Sequence, residues 1–294
     1  MRIGIMGLGL LGHSIATRFL ETEKIIGVYN RNMVKGKDLE SNGAILYQTP
    51  QQLAANSDLI ISCILDYNSI YPLNFNKENG IIAAENSNLI VADASTISPF
   101  ESAICHRTFK EHNIEMLSMP VMGGPSSALK GEMVPIVSGN KTTYEKIKTY
   151  IEKLGKIIFY VGDTEGSANA IKLALNLNIG LIACALSEGI LLTHKYGADP
   201  KIFLDILNST YFKTGMSEFK GPKMINKNFE PSFYLKNLLK DMDLVQDTAK
   251  TLGLSLPVSE MSRQLYRQAN NQGYSELDYT GIISYYKKIN EMKE

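Results

Sequence analysis

Two stretches hold side chains of the types and spacing that chemistry requires. In Gly162-Asp163-Thr164-Glu165-Gly166-Ser167-Ala168-Asn169-Ala170-Ile171-Lys172-Leu173-Ala174-Leu175-Asn176, Lys172 and Asn176 stand at i and i+4. That spacing puts them on one face of an otherwise apolar helix. Lysine is seldom buried without a partner, so the pair reads as a polar cluster lining a cleft. An amine placed there can exchange a proton with a carbonyl oxygen. The spacing alone equally suits a lysine whose stem covers apolar surface while its ammonium reaches water.

The second stretch is Gly7-Leu8-Gly9-Leu10-Leu11-Gly12, a GxGxxG run between a strand-like segment and a helix. That context is the one a dinucleotide-binding turn needs. Gly7 permits the tight turn, Gly9 lets backbone approach a pyrophosphate, and Gly12 lets helix pack on strand. The helix start offers N–H groups to the phosphates. Further on, Val28-Tyr29 runs into Asn30-Arg31-Asn32. An NAD site usually carries an acidic residue here for the ribose 2′-hydroxyl. Arg31 instead suits a 2′-phosphate through charge-assisted hydrogen bonds, so the expected cofactor is NADP(H) rather than NAD(H).

Two loops also draw attention. Pro120-Val121-Met122-Gly123-Gly124-Pro125 follows a strand, and its paired glycines offer backbone N–H groups suited to a carboxylate. An ordinary Gly/Pro turn has the same composition. Ala94-Ser95-Thr96-Ile97-Ser98-Pro99 ends another strand, where ligands of open α/β sheets bind. Its hydroxyls equally suit helix caps.

The elements that must position these residues change in character along the chain. Strand runs are expected at Arg2–Met6, Ile25–Tyr29, Ala44–Tyr47, Leu59–Ile64, Leu89–Ala92, Met116–Met119, Met133–Ser138 and Ile157–Val161. Helical stretches lie between them at Leu10–Leu20, Val34–Ser41 and from Thr49-Pro50. This alternation predicts a largely parallel, doubly wound sheet. From Ala168 onward apolar residues recur at helical spacing and strand runs stop. The expectation is an α/β domain over residues 1–163 and an all-helical one over 164–294.

Leu173–Leu192 is mostly apolar and about as long as a membrane span. Asn176, Asn178, Ser187 and Glu188 interrupt it, and its ends have no aromatic belt or basic flank. It is read as a helix buried all round in a soluble protein.

Composition narrows the class. The chain has 294 residues, with 30 Lys and Arg against 30 Asp and Glu, and the balance holds in both halves. No nucleic-acid or membrane-surface partner is expected from it. Cys63, Cys105 and Cys184 are widely spaced, and neither CxxC nor a Cys/His cluster suggests a metal site. Sparse thiols and the lack of a signal-peptide pattern point to the cytoplasm. His13, His106, His112 and His194 are scattered and are given surface or structural roles. Tyr285-Tyr286 is read as core or interface, Glu188 as a buried hydrogen-bonding group or dimer contact, and Lys287-Lys288 as solvated.

Taken in order, these motifs resemble the β-hydroxyacid dehydrogenase family, which includes 3-hydroxyisobutyrate dehydrogenases and glyoxylate/succinic semialdehyde reductases. The resemblance spans nearly the whole chain: the glycine turn, Ser95 to Pro99, Gly123-Gly124, Gly162 to Asn176, and Leu239-Lys240-Asp241-Met242-Asp243-Leu244. It implies an α/β Rossmann N-terminal domain joined by a long helix to an all-α C-terminal domain, with the active site in the cleft between them. It implies Lys172 as general acid/base and Asn176 as a substrate-positioning residue. It places Ser95, Met122, Gly123, Gly124 and Lys240 at the substrate. Cofactor-binding residues would be Gly7, Leu8, Gly9, Leu10, Leu11, Gly12, Asn30, Arg31, Asn32, Leu65, Thr96 and Lys240. Partners would be a small carboxylate or aldehyde substrate and a second or further copy of the chain, in a homodimer or homotetramer formed through the helical domain.

One residue departs from the pattern. The family usually has serine before the paired glycines, and Met122 stands there. A hydroxyl is lost and a flexible apolar side chain gained, which puts substrate size and polarity in question. Imine reductases share the scaffold but commonly lack the lysine. A retired NADP-binding module would need neither Lys172 nor Asn176. Turnover separates these alternatives from the expected hydroxy-acid/semialdehyde oxidoreductase.

Overall fold

The computed structural model describes residues 1–23 and 25–292. Among these, the chain divides into two compact units, Met1–Lys172 and from Leu173 onward.

The first unit is built on six short strands: β1 (Ile3–Met6), β2 (Ile26–Tyr29), β3 (Ile45–Leu46), β4 (Leu59–Ser62), β5 (Ile90–Asp93) and β6 (Glu115–Ser118). All pair in parallel in the order β3-β2-β1-β4-β5-β6. The order reverses between β1 and β4, which leaves a crevice at their carboxyl ends. Helices cover both faces, so β1, β2, β4 and β5 are buried throughout and read as continuous apolar runs. Ile5, Val28 and Ile61 face one core with Phe19 and Ile147. Met6, Ile60 and Val91 face the other with Leu53 and Phe109.

The helices of this unit are α1 (Leu10–Thr22), α2 (Lys37–Ser41), α3 (Pro50–Ala55), α4 (Tyr67–Phe75), α5 (Pro99–Glu111), α6 (Pro125–Lys130) and α7 (Lys141–Ile151). Their starts follow capping chemistry. Thr49 accepts from Gln52 N ahead of Pro50, and Ser98 with Glu101 forms a capping box ahead of α5.

Two expected strands join a different sheet. Met133–Ser138 and Ile157–Val161 supply β8 (Val134–Val137) and β9 (Phe159–Tyr160). With β7 (Val121–Met122) they form a separate three-stranded sheet, in which β7 and β8 are antiparallel. The link from β7 to β8 contains only the short α6. The chain therefore turns back on itself rather than making a long crossover.

The second unit is helical: α8 (Ser167–Tyr196) runs into it, followed by α9 (Pro200–Asn208), α10 (Gly215–Phe219), α11 (Gly221–Ile225), α12 (Leu235–Thr251), α13 (Pro257–Ala269) and α14 (Ile282–Ile289). Its core gathers Leu186, Ile190, Leu238, Met242, Tyr266 and Ile283. Tyr285 and Tyr286 are buried there too, and Tyr286 Oη donates to Glu188 Oε1 at 3.0 Å. The boundary read at 163/164 falls in the loop before α8, whereas the units divide within the helix. The first turns of α8 belong to the Rossmann unit because Ala168 N donates to Ser138 Oγ at 3.2 Å and Ala168 and Asn169 are buried in it.

The helix expected to be buried all round is buried on one face. Ala183, Leu186, Ile190 and Leu191 are in the core, while Ala185, Glu188 and Leu192 are at the surface. Within one chain, α8 packs on its α12 and α13 side, where Gly180 meets Met242 and Cys184 meets Ser262. Among the described residues, α8 alone is long and apolar enough to cross a membrane by length and composition. Its buried face nonetheless belongs to a protein core.

Candidate active site

The glycine turn has a distinct reason for each glycine. Gly7 adopts φ +93°, and a Cβ there would lie 2.4 Å from the Cys63 carbonyl oxygen. A Cβ on Gly12 would lie 1.9 Å from the Gly7 carbonyl oxygen, so α1 can pack this close to β1 only with glycine. Gly9 differs: a Cβ there would meet nothing within 4 Å. Gly9 is the N-cap of the 13-residue α1, and no side chain caps that helix start. Open space against bare helix N–H groups fits a pyrophosphate. Leu8 is buried beneath the turn, Leu10 is exposed and Leu11 is partly buried against the core.

Cys63 lies under this turn. Burial, helped by the Asp93 carboxylate, pushes its thiol well above the usual range, which makes it packing rather than a nucleophile.

At the end of β2, Asn30 Oδ1 accepts from Leu8 N at 2.9 Å while its Nδ2 donates to the Asn32 carbonyl at 2.9 Å. Asn32 Oδ1 accepts from Val34 N at 3.1 Å. Both asparagines therefore hold backbone. Arg31, between them, is exposed and joins no ion pair among the described residues. Of the three, it is the one whose charge is available to an anion.

After β5, Ser95 is buried, its Oγ donating to Asp93 Oδ1 at 2.6 Å and accepting from Ile64 N at 2.9 Å. The hydroxyl expected at the substrate braces the loop after β4 against the loop after β5. Leu65 follows that brace and is exposed, and Thr96 is partly buried. Ser98 caps α5, so that part of the Ser/Thr-rich loop has the capping role.

Met122 ends β7 and Gly123 follows at φ +111°, with Gly124 the N-cap of α6. On α8, Lys172 Nζ donates to Met122 Sδ at 3.2 Å. One turn earlier Asn169, buried, points Nδ2 at the carbonyls of Ser95 and Ile97, both at 3.4 Å. Its Oδ1 is buried with no partner among the described residues. Asn169 was missed at the sequence level, although it precedes Lys172 by i−3 and so shares its face.

A second polar cluster lies in the helical unit. Asn176 Nδ2 donates to Asp241 Oδ2 at 2.6 Å, and Lys240 Nζ lies 2.7 Å from Asp241 Oδ1. Buried Asp241 thus ties together the two residues that were expected to act on substrate and cofactor. A carboxylate only accepts, so it fixes the Asn176 amide with nitrogen inward. Its signal was an acid next to Lys240 on a stretch that also holds Leu238, Leu239 and Met242.

His106 sits beneath the Rossmann sheet, its Nε2 2.9 Å from Ser118 Oγ, which in turn lies 2.7 Å from Ser102 Oγ. Burial lowers its pKa to about 4. It is a neutral core residue.

Comparison with known proteins agrees with this geometry. Residues 2–162 match the NAD-binding domain of 6-phosphogluconate dehydrogenase. Residues 166–286 match the NAD-binding domain of NADP-dependent 3-hydroxyisobutyrate dehydrogenase. The chain is 30% identical over 281 residues to glyoxylate/succinic semialdehyde reductase 2 of Arabidopsis thaliana, covering 96% of this chain and 78% of that protein. It is 30% identical over 283 residues to 2-hydroxy-3-oxopropionate reductase of Escherichia coli, covering 96% of each. In fold it is similar to the crystal structure of 3-hydroxyisobutyrate dehydrogenase from Salmonella typhimurium, with TM-score 0.87, 23% identity, and 97% of this chain and 99% of that one covered.

Fold and site together define an NAD(P)-binding oxidoreductase acting on CH–OH groups and the corresponding carbonyls. Within that class, the chain belongs to the β-hydroxyacid dehydrogenase family, among the 3-hydroxyisobutyrate dehydrogenase-like enzymes.

Proposed function

We propose that this protein is an NADP(H)-dependent oxidoreductase interconverting a small β-hydroxy acid, or a 2- or 4-hydroxy acid, with its semialdehyde or oxo acid. The observation that carries the reading is Lys172. Its amine is held beside Met122 in the same unit as the glycine turn.

Gly7 to Gly12 would hold the pyrophosphate, Arg31 the 2′-phosphate, and Leu65 and Thr96 would line the cofactor. A reduced nicotinamide bound there supplies the hydride. Negative charge then grows on the substrate oxygen, and the Lys172 ammonium stabilises it and delivers the proton. In the oxidative direction the neutral amine takes that proton back. Asn176 and Lys240 are assigned to binding, with Asp241 setting their orientation. Gly123 and Gly124 offer N–H groups to a carboxylate, and Ser95 is a positioning residue. The apolar surface of Leu192, Tyr196, Ile202 and Ile206 is assigned to contact with a second copy. The compartment we infer is the cytoplasm.

The test is NADPH oxidation by purified protein with glyoxylate, succinic semialdehyde, tartronate semialdehyde and methylmalonate semialdehyde, with a cyclic imine and NADH as controls. Turnover of an aldehyde should fall by at least ~100-fold in Lys172→Ala, the low end for general acid/base catalysis, while NADPH affinity stays within a few-fold. Full turnover by the variant removes Lys172 from the mechanism. Turnover of the imine alone overturns the hydroxy-acid reading.

A further inference from the structure

We infer that Met122 sets the substrate class, selecting aldehydes whose carbonyl carbon is joined to CH2 or an alkyl-bearing carbon over those joined directly to a carboxylate. This rests on the reading of Lys172 as the proton donor.

The argument begins with what lies around the ammonium. Lys172 Nζ donates to Met122 Sδ at 3.2 Å. A carbonyl oxygen receiving a proton from Nζ lies about 2.8 Å from it, and the first atom of each carbonyl substituent lies about 2.4 Å from that oxygen. One substituent of the reacting carbon therefore shares the neighbourhood of Nζ with the methionine side chain.

Met122 offers that substituent a thioether with its methyl and two methylenes, and its side chain has no N–H or O–H. A carboxylate placed there loses water and gains no donor from this side chain, and its oxygens face the electron-rich sulfur. A methylene or branched carbon in the same place gains dispersion contact with a polarisable, adaptable side chain. Backbone constrains the wall on which the methionine stands: Met122 pairs with Val134 across the β7–β8 ladder. Gly123 then turns at φ +111° with a Cβ position 3.0 Å from Ser127 Cβ. The main chain leaves little freedom to carry residue 122 away, so the side chain itself decides what fits.

One aldehyde of each kind provides the test. In glyoxylate the carboxylate is attached to the reacting carbon, whereas in succinic semialdehyde two methylenes separate them. kcat/KM for both is measured with NADPH in the wild type, Met122→Ser and Met122→Leu. Thermal-shift titrations with glycolate and 4-hydroxybutyrate, in the presence of NADP+, read the same preference without turnover. The wild type should favour succinic semialdehyde by about tenfold or more, the scale on which small apolar differences are discriminated. Met122→Ser should reduce that ratio at least tenfold, and Met122→Leu should keep it within about threefold. The inference is overturned by a wild type that favours glyoxylate, by a smaller change in the serine variant, or by a leucine variant that departs further. Silence of the wild type on every aldehyde, with NADPH bound, instead overturns the underlying reading of the enzyme.

Discussion

The side chain of Asn30 accepts the backbone N–H of Leu8 at 2.9 Å, so the residue that follows β2 is committed to the glycine turn. In many dinucleotide folds this position holds an acid that meets the ribose. The next residue, Arg31, is exposed between two asparagines that bind backbone, and the proposed function gives it the 2′-phosphate. Arg31→Ala should therefore weaken NADPH by about 10- to 100-fold, as expected for hydrogen bonds to a charged group, and change NADH by less than threefold. Fluorescence titration with both nucleotides checks this. Equal weakening of the two would remove the 2′-phosphate from the argument.

The glycines of the turn separate folding from binding. A Cβ on Gly12 would run into the Gly7 carbonyl oxygen, but one on Gly9 has open space around it. Gly9→Ala should melt within a few degrees of the wild type and still lose at least ~10-fold in NADPH affinity, because the methyl occupies the phosphate approach. Gly12→Ala should lose several kcal/mol of stability or fail to accumulate, the consequence of overpacking against rigid backbone. Melting temperatures and nucleotide titrations of the two variants decide it. Parallel losses in both would mean that Gly9 is structural.

These glycines also mark what was legible in the sequence. A turn motif and a period-two or helical alternation are local, so β1, α1 and the change to helices from Ala168 onward could all be read from the sequence, whereas the loop before α5 reads only as able to cap a helix. Strand partnership is not local. Nothing in Val134–Val137 shows that it pairs with Val121–Met122 rather than joining the six-stranded sheet. Polar satisfaction is not local either. Ser95 reads as a ligand to substrate, and only the structure shows its hydroxyl bridging Asp93 and Ile64 N. Asp241 was part of the Leu239–Leu244 motif but had no role there, because its partners, Asn176 and Lys240, had been assigned separate tasks. The contact between Lys172 and Met122 joins residues 50 positions apart, and neither one predicts the other.

The Ser95 brace makes its own prediction. Ser95→Ala leaves the partly buried Ile64 N without this acceptor and removes a donor from buried Asp93. Losing such a bridge costs about 1–3 kcal/mol. Urea unfolding should report that loss, while KM for the substrate changes by less than threefold if the hydroxyl never touches it. A large rise in KM at unchanged stability would return Ser95 to the substrate site.

His106 gives the pH dependence of the Rossmann unit a definite sign. Unfolded, its imidazole takes up a proton below about pH 6.5, but in the folded chain burial holds its pKa at about 4. Between those values the unfolded state binds more protons, so stability falls as pH is lowered from 6.5 towards 4 and is unaffected by this group above 6.5. At pH 4.5 the loss is about 2–3 kcal/mol relative to pH 7. Carboxylates titrate in the same window, so the wild type must be compared with a variant that lacks the imidazole. His106→Gln supplies an amide towards Ser118 Oγ, which lies 2.9 Å from the imidazole nitrogen, and cannot titrate. Urea unfolding at pH 7.0, 5.5 and 4.5 should show the variant less stable than, or equal to, the wild type at neutral pH. The gap should then close or invert by about 2–3 kcal/mol at pH 4.5. Identical pH slopes for the two proteins would mean that folding leaves the imidazole's pKa unchanged, and that burial does not keep the Ser102–Ser118–His106 chain neutral.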